Sequence, residues 1–304
     1  MAEESSCPRP TEGLLSVVGT PIGNLSDASP RMVSTLGAAD AVLCEDTRVT
    51  GKLLAALGVR AKRLERCDEN VILSRVPVLV ERLLAGEHLA FVSDAGMPGI
   101  SDPGQRLVDA ALDAGVRCEV VPGPSAVTCA LVASGFSSEH FFFEGFLPRK
   151  RSQQIARLSE LAAVPGALVL YESPKRVAKT LDAIAEALPE RDVALVRELT
   201  KVHEEVVRAR AADLARQIAE RDEVRGECVI VISAPSEGEL SARRRADATA
   251  GMPLDEAIAE GLASGESKSA LAKRLSKQYG VPRSEAYEKV VAAGSEKTDE
   301  AGNL

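Results

Sequence analysis

Short β-branched runs alternate with longer segments of helical periodicity over the first two-thirds of the chain, and this alternation limits the folds open to it. The intervening segments span 10–18 residues. Val177, Leu181 and Ile184, for example, fall on one helix face. Strands that alternate with helices predict an α/β protein whose strands pair largely in parallel, at least early in the chain. The runs predicted as strands are residues 14–19, 41–45, 89–93, 118–123, 167–173, 192–199 and 227–234.

The beginnings of several predicted helices share one signal. Ser29-Pro30, Asp102-Pro103 and Ser173-Pro174 each place a capping side chain before a proline at the first helical position, where the missing N–H costs nothing. Gly123-Pro124 is a weaker form of the same signal. We therefore expect helix N-termini to collect at strand ends, where open α/β sheets bind their ligands.

The composition changes after Ala234. Residues 236–251 are polar, small and unpatterned, which is typical of a linker. Three short helices are predicted beyond it, the second ending before Gly280 and the third capped by Ser284. The chain thus divides into an N-terminal α/β domain (13–122), a second α/β domain (123–235), the linker (236–251) and a C-terminal helical module (252–294), followed by a frayed tail.

Charge and aromatic content argue against some classes of protein. A net charge of −8 argues against a surface that binds nucleic acid everywhere, but it does not exclude a local basic face. Aromatic residues make up 3% of the chain and Trp is absent, so long stacking platforms for single-stranded nucleic acid are not expected.

Targeting and metal signals are missing from the sequence. The amino terminus is acidic and polar, unlike a secretory signal, and no run approaches the roughly 18 apolar residues of a membrane helix. The six cysteines form no close pair at metal-ligand spacing, and the three histidines are far apart. We expect a cytoplasmic protein with reduced thiols, no metal and no membrane contact.

Residues 93–104, SDAGMPGISDPG, connect a strand to a helix with twelve residues, whereas a simple turn needs about two to six. Glycine and proline at this density fix an unusual backbone, which matters where main-chain groups touch a ligand. GTPIGN (19–24) and PGPSA (122–126) also combine glycine with proline at the end of a predicted strand. GTPIGN matches neither the dinucleotide-binding fingerprint nor the phosphate-binding loop, and by itself it could be a tight turn.

EDTR (45–48) follows the second predicted strand and has two interpretations. It could be solvated charge with Asp46 or Thr47 capping a helix, or it could place a carboxylate and an arginine at a ligand site. Together with the three glycine-containing loops it would lie at the carboxyl edge of one sheet. Four such loops at one edge predict a small-molecule site.

Seven motifs occur in a fixed order: TPIGN, EDTR, SDAGMPGISDPG, PGPSA, EGFLPRK, YESPKR and RELTKVHEE. In this order they resemble the bacterial ribosomal RNA small subunit methyltransferase I family, whose members are similar to the tetrapyrrole methylases. The resemblance runs from about Leu14 to Ala234 and extends to the helical module. Met97 departs from the usual Thr, Lys175 from a common His, and Val18-Gly19 from the Ala that precedes TPIGN.

The resemblance implies a tetrapyrrole methylase-like α/β fold in a homodimer, with S-adenosylmethionine in a cleft between the two α/β domains. The implied reaction is 2′-O-methylation of a decoding-centre cytidine (position 1402 in the usual numbering) in the 16S rRNA of the 30S subunit. The cofactor-binding residues expected from it are Gly19, Thr20, Pro21, Gly23, Asp94, Ala95, Gly96, Met97, Pro98, Pro122, Gly123, Ser125 and Ala126.

A 2′-hydroxyl is a poor nucleophile, so a positioned base would assist displacement at the sulfonium methyl. Histidine is the residue type that titrates near neutral pH, yet His203 could equally brace a dimer or a strand. The sequence assigns no base. The candidates are Glu45, Asp46, Glu172, Glu198, Lys201, His203 and Glu204.

Basic clusters would meet the RNA, although each cluster alone could be solvated surface. The helical module could dock RNA or brace a dimer. The residues expected to contact RNA are Arg48, Arg149, Lys150, Arg151, Lys175, Arg176, Lys273, Arg274 and Lys277.

Two other functions compete with rRNA methylation. A tetrapyrrole or corrin-pathway methyltransferase would share the fold, but EGFLPRK, RELTKVHEE and the basic tail argue against it. A ribosome-associated binding protein could retain cofactor-like loops without activity. The intact glycines of all three loops argue against that loss.

Overall fold

Two five-stranded sheets with helices on their faces form the framework of the first 235 residues. The computed structural model describes residues 12–99, 104–137, 139–240 and 252–300, with the backbone alone for 294–300. The first sheet contains β1 (Leu14–Val18), β2 (Ala41–Cys44), β3 (Leu64–Arg66), β4 (His88–Val92) and β5 (Arg117–Val121). Its strand order is β3-β2-β4-β1-β5, and all neighbours are parallel.

The strands of the first sheet alternate their side chains between two apolar layers, because successive residues point to opposite faces. Leu15, Leu89 and Phe91 pack against α3 (Ile72–Leu84) and α4 (Gly104–Asp113). Val42, Ala90 and Val92 pack against α1 (Pro30–Ala38) and α2 (Thr47–Ala56). Helices cover both faces of this sheet, and the loops lie at its carboxyl edge.

The second sheet contains β6 (Phe141–Phe146), β7 (Ala167–Glu172), β8 (Asp192–Arg197), β9 (Glu205–Arg210) and β10 (Cys228–Ile232). Its order is β6-β7-β10-β8-β9; β6 and β7 are parallel and the other pairs are antiparallel. One face packs against α5 (Ala126–Ser134). The other packs against α6 (Arg151–Leu161), α7 (Val177–Ala187) and α8 (Ala211–Ala219).

The α/β prediction is confirmed, and all seven predicted strands are present with ends shifted by a few residues. Three further strands, β3, β6 and β9, were not predicted, and each lies at an edge of its sheet. Edge strands are often short or charged, because such features discourage pairing with other chains. β3 has three residues, Glu144-Gly145 interrupts β6, and β9 alternates charged with apolar side chains.

The predicted helix starts have mixed outcomes. Ser29 caps α1 by accepting a hydrogen bond from the Met32 N–H (3.1 Å), as predicted. The Ser173-Pro174 prediction is wrong in its boundary and its cap: α7 begins at Val177 without a side-chain cap, after a turn in which the Ser173 carbonyl accepts the Arg176 and Val177 N–H groups. After Gly123-Pro124, α5 begins at Ala126. Asp102-Pro103 lies outside the described residues.

The second compact unit is residues 236–304, and its described part from residue 252 onward consists of three helices. They are α9 (Leu254–Ala263), α10 (Lys268–Tyr279) and α11 (Arg283–Glu300). Ile258, Leu271 and Leu275 are fully or nearly fully buried among them. Ser284 lies inside α11 rather than capping it, and the helix extends to Glu300, into the tail expected to fray. The predicted domain boundaries stay predictions, and most of the predicted linker lies outside the described residues.

A partly buried polar network joins three strands of the first sheet. The hydroxyl of Ser16, a fully buried residue, donates to Glu119 Oε1 (2.8 Å) and lies 2.8 Å from His88 Nε2. Because the one hydroxyl proton goes to Glu119, His88 Nε2 must donate to Ser16. Burial lowers the pKa of His88, although the Glu119 and Asp40 carboxylates act in the opposite direction.

We expect this network to make stability depend on pH. Folding lowers the pKa of His88, so the neutral imidazole contributes to the free energy of unfolding. This contribution is complete above the pKa of the unfolded chain, about 6.5, and is lost as the pH falls from there through the lower pKa of the folded protein. The urea midpoint of the wild type should therefore fall more steeply than that of His88→Gln between roughly pH 7.5 and 5.5. Parallel midpoint curves for the two proteins would contradict this role.

Candidate active site

The loops that follow β1, β2, β4 and β5 meet at one edge of the first sheet, as the parallel pairing of these strands requires. They are GTPIGN, EDTR, the described part of SDAGMPGISDPG, and PGPSA. Ile100 to Pro103 of the long loop lie outside the described residues. The predicted convergence of the four loops is therefore present in the fold.

Two of these loops are joined through their backbones. The Thr20 N–H donates to the Gly96 carbonyl (2.9 Å), and the Gly96 N–H donates to the Thr20 carbonyl (3.2 Å). Gly96 has a φ of +85°, a conformation that side chains rarely adopt. The reciprocal pair fixes SDAGMPG against GTPIGN before any side chain contributes.

Gly19 and Gly123 bring two other loop backbones into direct contact. A Cβ added to Gly19 would lie 2.7 Å from the Gly123 Cα and 2.5 Å from the Met97 sulfur. A Cβ added to Gly123 would lie 2.7 Å from the Gly19 carbonyl carbon. The Gly123 N–H donates to Met97 Sδ at 3.2 Å. Both positions therefore require glycine, and the Met97 side chain packs against the contact between them.

A cavity of about 450 Å³ opens beside this junction, within the usual size range of small-molecule sites. Eight of the sequence-predicted residues line it: Glu45, Asp94, Ala95, Gly96, Met97, Ser125, Ala126 and Glu172. The remaining predicted cofactor residues do not line it: Gly19, Thr20, Pro21, Gly23, Pro98, Pro122 and Gly123. Of these, Gly19, Thr20 and Gly123 hold the lining loops in place.

The second sheet supplies a wall that sequence reasoning missed. Its residues come from the ends of β6, β7 and β10: Phe146, Tyr171, Ser173, Pro174, Gly226, Glu227, Cys228 and Val229. Phe146 and Tyr171 stand in the motifs EGFLPRK and YESPKR, which offered a signal. Gly226 to Val229 carried none, because only the fold brings β10 to the cavity.

Asp94 is a partly buried acid of the cavity wall. Its Oδ1 accepts the Asp46 N–H (3.2 Å), and its own N–H donates to Glu45 Oε1 (3.4 Å). Burial raises the pKa of Asp94, and the Asp46 charge adds to this effect against the hydrogen bond from the Asp46 backbone. A partly buried acid of this kind suits a cationic or hydroxyl ligand.

The two interpretations of EDTR apply to different residues. Asp46 caps α2 by accepting the Arg48 N–H (2.8 Å) and pairs with the Arg48 guanidinium, which holds the pKa of Asp46 well below its usual range. Asp46 does not line the cavity, whereas its neighbour Glu45 does. The capping role therefore belongs to Asp46, and the site-lining position to Glu45.

Glu172 is a buried carboxylate with fully engaged oxygens. Its Oε2 accepts the Thr180 hydroxyl (2.6 Å), and its Oε1 accepts the Ser173 N–H (2.7 Å) and lies 3.2 Å from Arg176 Nε. Arg176 also donates to the carbonyls of Leu147 and Pro148. The cluster ties the loop after β6 to the loop after β7, so Glu172 shapes the cavity wall.

The turn between β8 and β9 carries local strain next to the cavity. Glu198 and Thr200 are the non-glycine residues with positive φ in the described parts of the chain, at 52° and 65°. Lys201 Nζ holds the turn through Glu198 (2.7 Å) and Glu227 (3.2 Å). A Cβ on Gly23 would lie 2.5 Å from Lys201 Cγ, so this turn rests on GTPIGN.

Glu198 and His203, both candidate bases, belong to a second cavity of about 330 Å³. Arg197, Arg221, Glu223 and Arg225 complete its lining. Glu205 forms ion pairs with both Arg221 and Arg197, which lower the pKa of Glu205 to about 2. His203 is exposed and, like Lys201 and Glu204, does not line the first cavity.

The predicted RNA-contacting cations fall into two groups. Arg149, Lys150, Lys175, Lys273 and Lys277 are exposed. The other four pair with acids, although Arg48 and Arg151 are exposed as well: Arg48 with Asp46, Arg151 with Glu186, Arg176 with Glu172 and Arg274 with Glu266. Within the part of the chain that the structure describes, no three His, Cys, Asp or Glu side chains come together as metal ligands.

Comparison with known proteins agrees with this arrangement. A model of the tetrapyrrole (corrin/porphyrin) methylases matches residues 14–215. The ribosomal RNA small subunit methyltransferase I of Mesorhizobium japonicum is 43% identical over 88% of this chain and 92% of its own length. The chain belongs to the ribosomal RNA small subunit methyltransferase I family, among the tetrapyrrole methylases.

Another member of the methyltransferase I family, from Mycobacterium bovis, is 47% identical over 76% of this chain and 81% of its own length. Among solved structures, uroporphyrin-III C-methyltransferase from Thermus thermophilus, complexed with S-adenyl homocysteine, matches with a TM-score of 0.52. It is 20% identical and covers 73% of this chain and 97% of its own. This likeness establishes the tetrapyrrole methylase fold.

We expect Gly19→Ala to destabilise the protein by roughly 1–3 kcal/mol, because the added methyl overpacks a backbone junction that cannot yield. Gly37→Ala in α1 is the matched control, since its Cβ would meet nothing closer than 3.9 Å and alanine favours a helix by about 0.5–1 kcal/mol. Urea denaturation measures both. A Gly19→Ala protein as stable as the wild type would contradict the close contact.

Proposed function

We propose that this protein transfers a methyl group from S-adenosylmethionine to the ribose 2′-oxygen of a decoding-centre cytidine in the 16S rRNA of the small ribosomal subunit. The observation that carries the proposal is the cavity built by three glycine-containing loops in a member of the methyltransferase I family. The rRNA substrate is named by the relatives, and the cytidine 2′-oxygen follows from the motif resemblance.

The residues of the cavity fit S-adenosylmethionine. Backbone N–H and C=O groups at the loop edges suit its zwitterionic amino acid part, and Asp94 suits an ammonium or ribose hydroxyl. Ile22, Met97 and Ala126 of the first-sheet loops offer apolar surface for an adenine. The backbone junctions already hold the loops, so binding requires little rearrangement.

When bound, S-adenosylmethionine supplies a sulfonium methyl as the electrophile. The remaining task of the protein is to hold the acceptor oxygen about 3 Å from the methyl carbon and in line with the bond that breaks. Among the candidate bases, Glu45 and Glu172 line the cavity, and the oxygens of Glu172 are engaged. Glu45 is half-buried beside Asp94 and accepts the Asp94 N–H, and both glutamates stay candidates to receive the 2′-hydroxyl proton.

Exposed cations border the proposed acceptor side. Arg149 and Lys150 follow Phe146 by three and four residues, and Lys175 follows the cavity residues Ser173 and Pro174 directly. Arg176 ties the two loops together through the Leu147 and Pro148 carbonyls. Positive charge on the segments that follow these cavity residues would attract the RNA backbone despite the net charge of −8.

The homodimer and the cytoplasmic location implied by the resemblance stay predictions. Among the helices that the structure describes, none has the length and apolar character to cross a membrane. Lys273 and Lys277, exposed on α10, make RNA docking a possible role of the C-terminal unit, with bracing of a dimer as its rival.

A tetrapyrrole methyltransferase is the alternative function, because the fold is shared with such enzymes. The cations beside the cavity would suit an anionic tetrapyrrole as well as RNA. The identities of 43% and 47% to proteins named for rRNA favour the rRNA.

We expect the protein to transfer labelled methyl from S-adenosylmethionine to 30S subunits from cells that lack this modification. Mapping by alkaline cleavage should show one protected ribose, at the decoding-centre cytidine, because 2′-O-methylation blocks cleavage at that phosphate. Fully modified subunits are the control. Label on a base would contradict the proposed acceptor oxygen. No transfer while S-adenosylmethionine still binds would contradict the rRNA substrate and redirect the search to tetrapyrroles.

We expect Asp94→Asn to weaken cofactor binding about 10- to 100-fold, since a hydrogen bond to a charged group contributes roughly 1.5–3 kcal/mol. Titration calorimetry with S-adenosylhomocysteine measures the change. Asp109→Asn, an exposed change on α4, is the control and should leave affinity unchanged. Equal affinities for wild type and Asp94→Asn would remove Asp94 from the cofactor site.

A further inference from the structure

A β-bulge in β6 turns Phe146 toward the cavity. Phe143 pairs with Val169 and Phe146 with Tyr171, so four residues of β6 oppose three of β7. In a regular strand, residues three apart point to opposite faces. The extra residue instead places Phe143 and Phe146 on the same face as Tyr171, and bulges commonly re-aim side chains beside active sites.

The bulge is held in place by specific contacts. Gly145 has a φ of +77°, which only glycine adopts without strain. Glu144, the residue before it, accepts two parallel hydrogen bonds from Arg157, at 2.7 and 2.8 Å. A bidentate pair of this kind fixes geometry as well as adding energy. The direction of Phe146 is therefore built into the fold.

The ring of Phe146 is supported on one side and open on the other. Its centroid lies 5.7 Å from that of Tyr171, which in turn makes an edge contact with Phe143 at 4.9 Å. Phe146 is nevertheless 56% exposed and lines the cavity. An apolar ring held toward a cavity but left uncovered, in a chain with few aromatic residues, is suited to a planar ligand.

We propose that Phe146 is the stacking surface for the nucleobase of the nucleotide that receives the methyl group. This inference rests on the proposed function. A ribose oxygen within a folded RNA reaches a buried cavity when its nucleotide leaves the stack, and the base then loses its neighbours. An aromatic ring that replaces them recovers stacking for any base, because every base has a π-face.

The adenine of the cofactor is the other nucleobase that the ring could contact. The loops assigned to the cofactor come from the carboxyl edge of the first sheet, whereas Phe146 lies on the wall from the second sheet. The exposed cations Arg149 and Lys150 follow Phe146 in the chain and suit a phosphate backbone. These two observations place the ring on the acceptor side.

The test compares Phe146→Ala, Phe146→Leu and Phe146→Trp in the full-length protein. We expect Phe146→Ala to lower kcat/KM for unmodified 30S subunits on the order of ten- to a hundred-fold. Phe146→Leu keeps apolar bulk without a π-face and should recover little, whereas Phe146→Trp should remain near the wild type. The dissociation constant for S-adenosylhomocysteine should stay within about twofold in all three variants. Phe142→Ala, an exposed ring of β6 that does not line the cavity, is the matched control.

Each possible result separates this inference from the proposed function. A Phe146→Ala protein with wild-type kcat/KM, or full recovery by Phe146→Leu, would overturn the stacking role while methylation by the wild type stands. A loss of cofactor affinity that matches the loss of activity would assign the ring to adenine and overturn the inference. If the wild type itself transfers no methyl to 30S subunits, the proposed function fails and the inference fails with it.

Discussion

The contact between the backbones of Gly19 and Gly123 is the constraint on which the rest of the site depends. Strands β1 and β5 pair in register up to Val18 and Val121, so the loops after them leave the sheet side by side. With no Cβ on either glycine, these loops touch, and the Thr20–Gly96 pair adds a third loop. One wall of the cavity is thus set by main-chain atoms, which makes its shape largely independent of side-chain mobility.

The opposite wall depends on side chains that are themselves held by other residues. Glu172 is fixed by Thr180 and Arg176, and Glu144 of the bulge by Arg157. The turn after β8 holds two residues at positive φ, a strain of the order of 1–3 kcal/mol for each. Its packing on Gly23 and the Lys201 ion pairs offset that strain. Rigid support of this kind is what a site needs to orient a weak nucleophile.

The sequence predicts the parts of this structure that are encoded locally. Apolar runs located the central strands, and the glycines of three loops located the wall made by the first sheet. The edge strands β3, β6 and β9 were missed because their patterns are short, interrupted or charged. Pro174 suggested a helix start three residues before the one observed, because a turn from Ser173 to Arg176 precedes α7. Gly226 to Val229 reach the cavity through strand order alone, which no local pattern encodes.

The two walls of the site, one from each sheet, are held by different kinds of contact. Because backbone contacts hold the loops of the first sheet together, changes in side chains on the second sheet can alter the other wall without disturbing those loops. Proteins of low identity can then share this fold while acting on different molecules, because specificity lies in the site rather than in the fold. In this chain the wall from the second sheet presents the uncovered ring of Phe146 and the engaged carboxylate of Glu172, and exposed cations follow both segments in the sequence. Under the proposed function, the ring would meet the base and the cations the phosphates of the acceptor nucleotide.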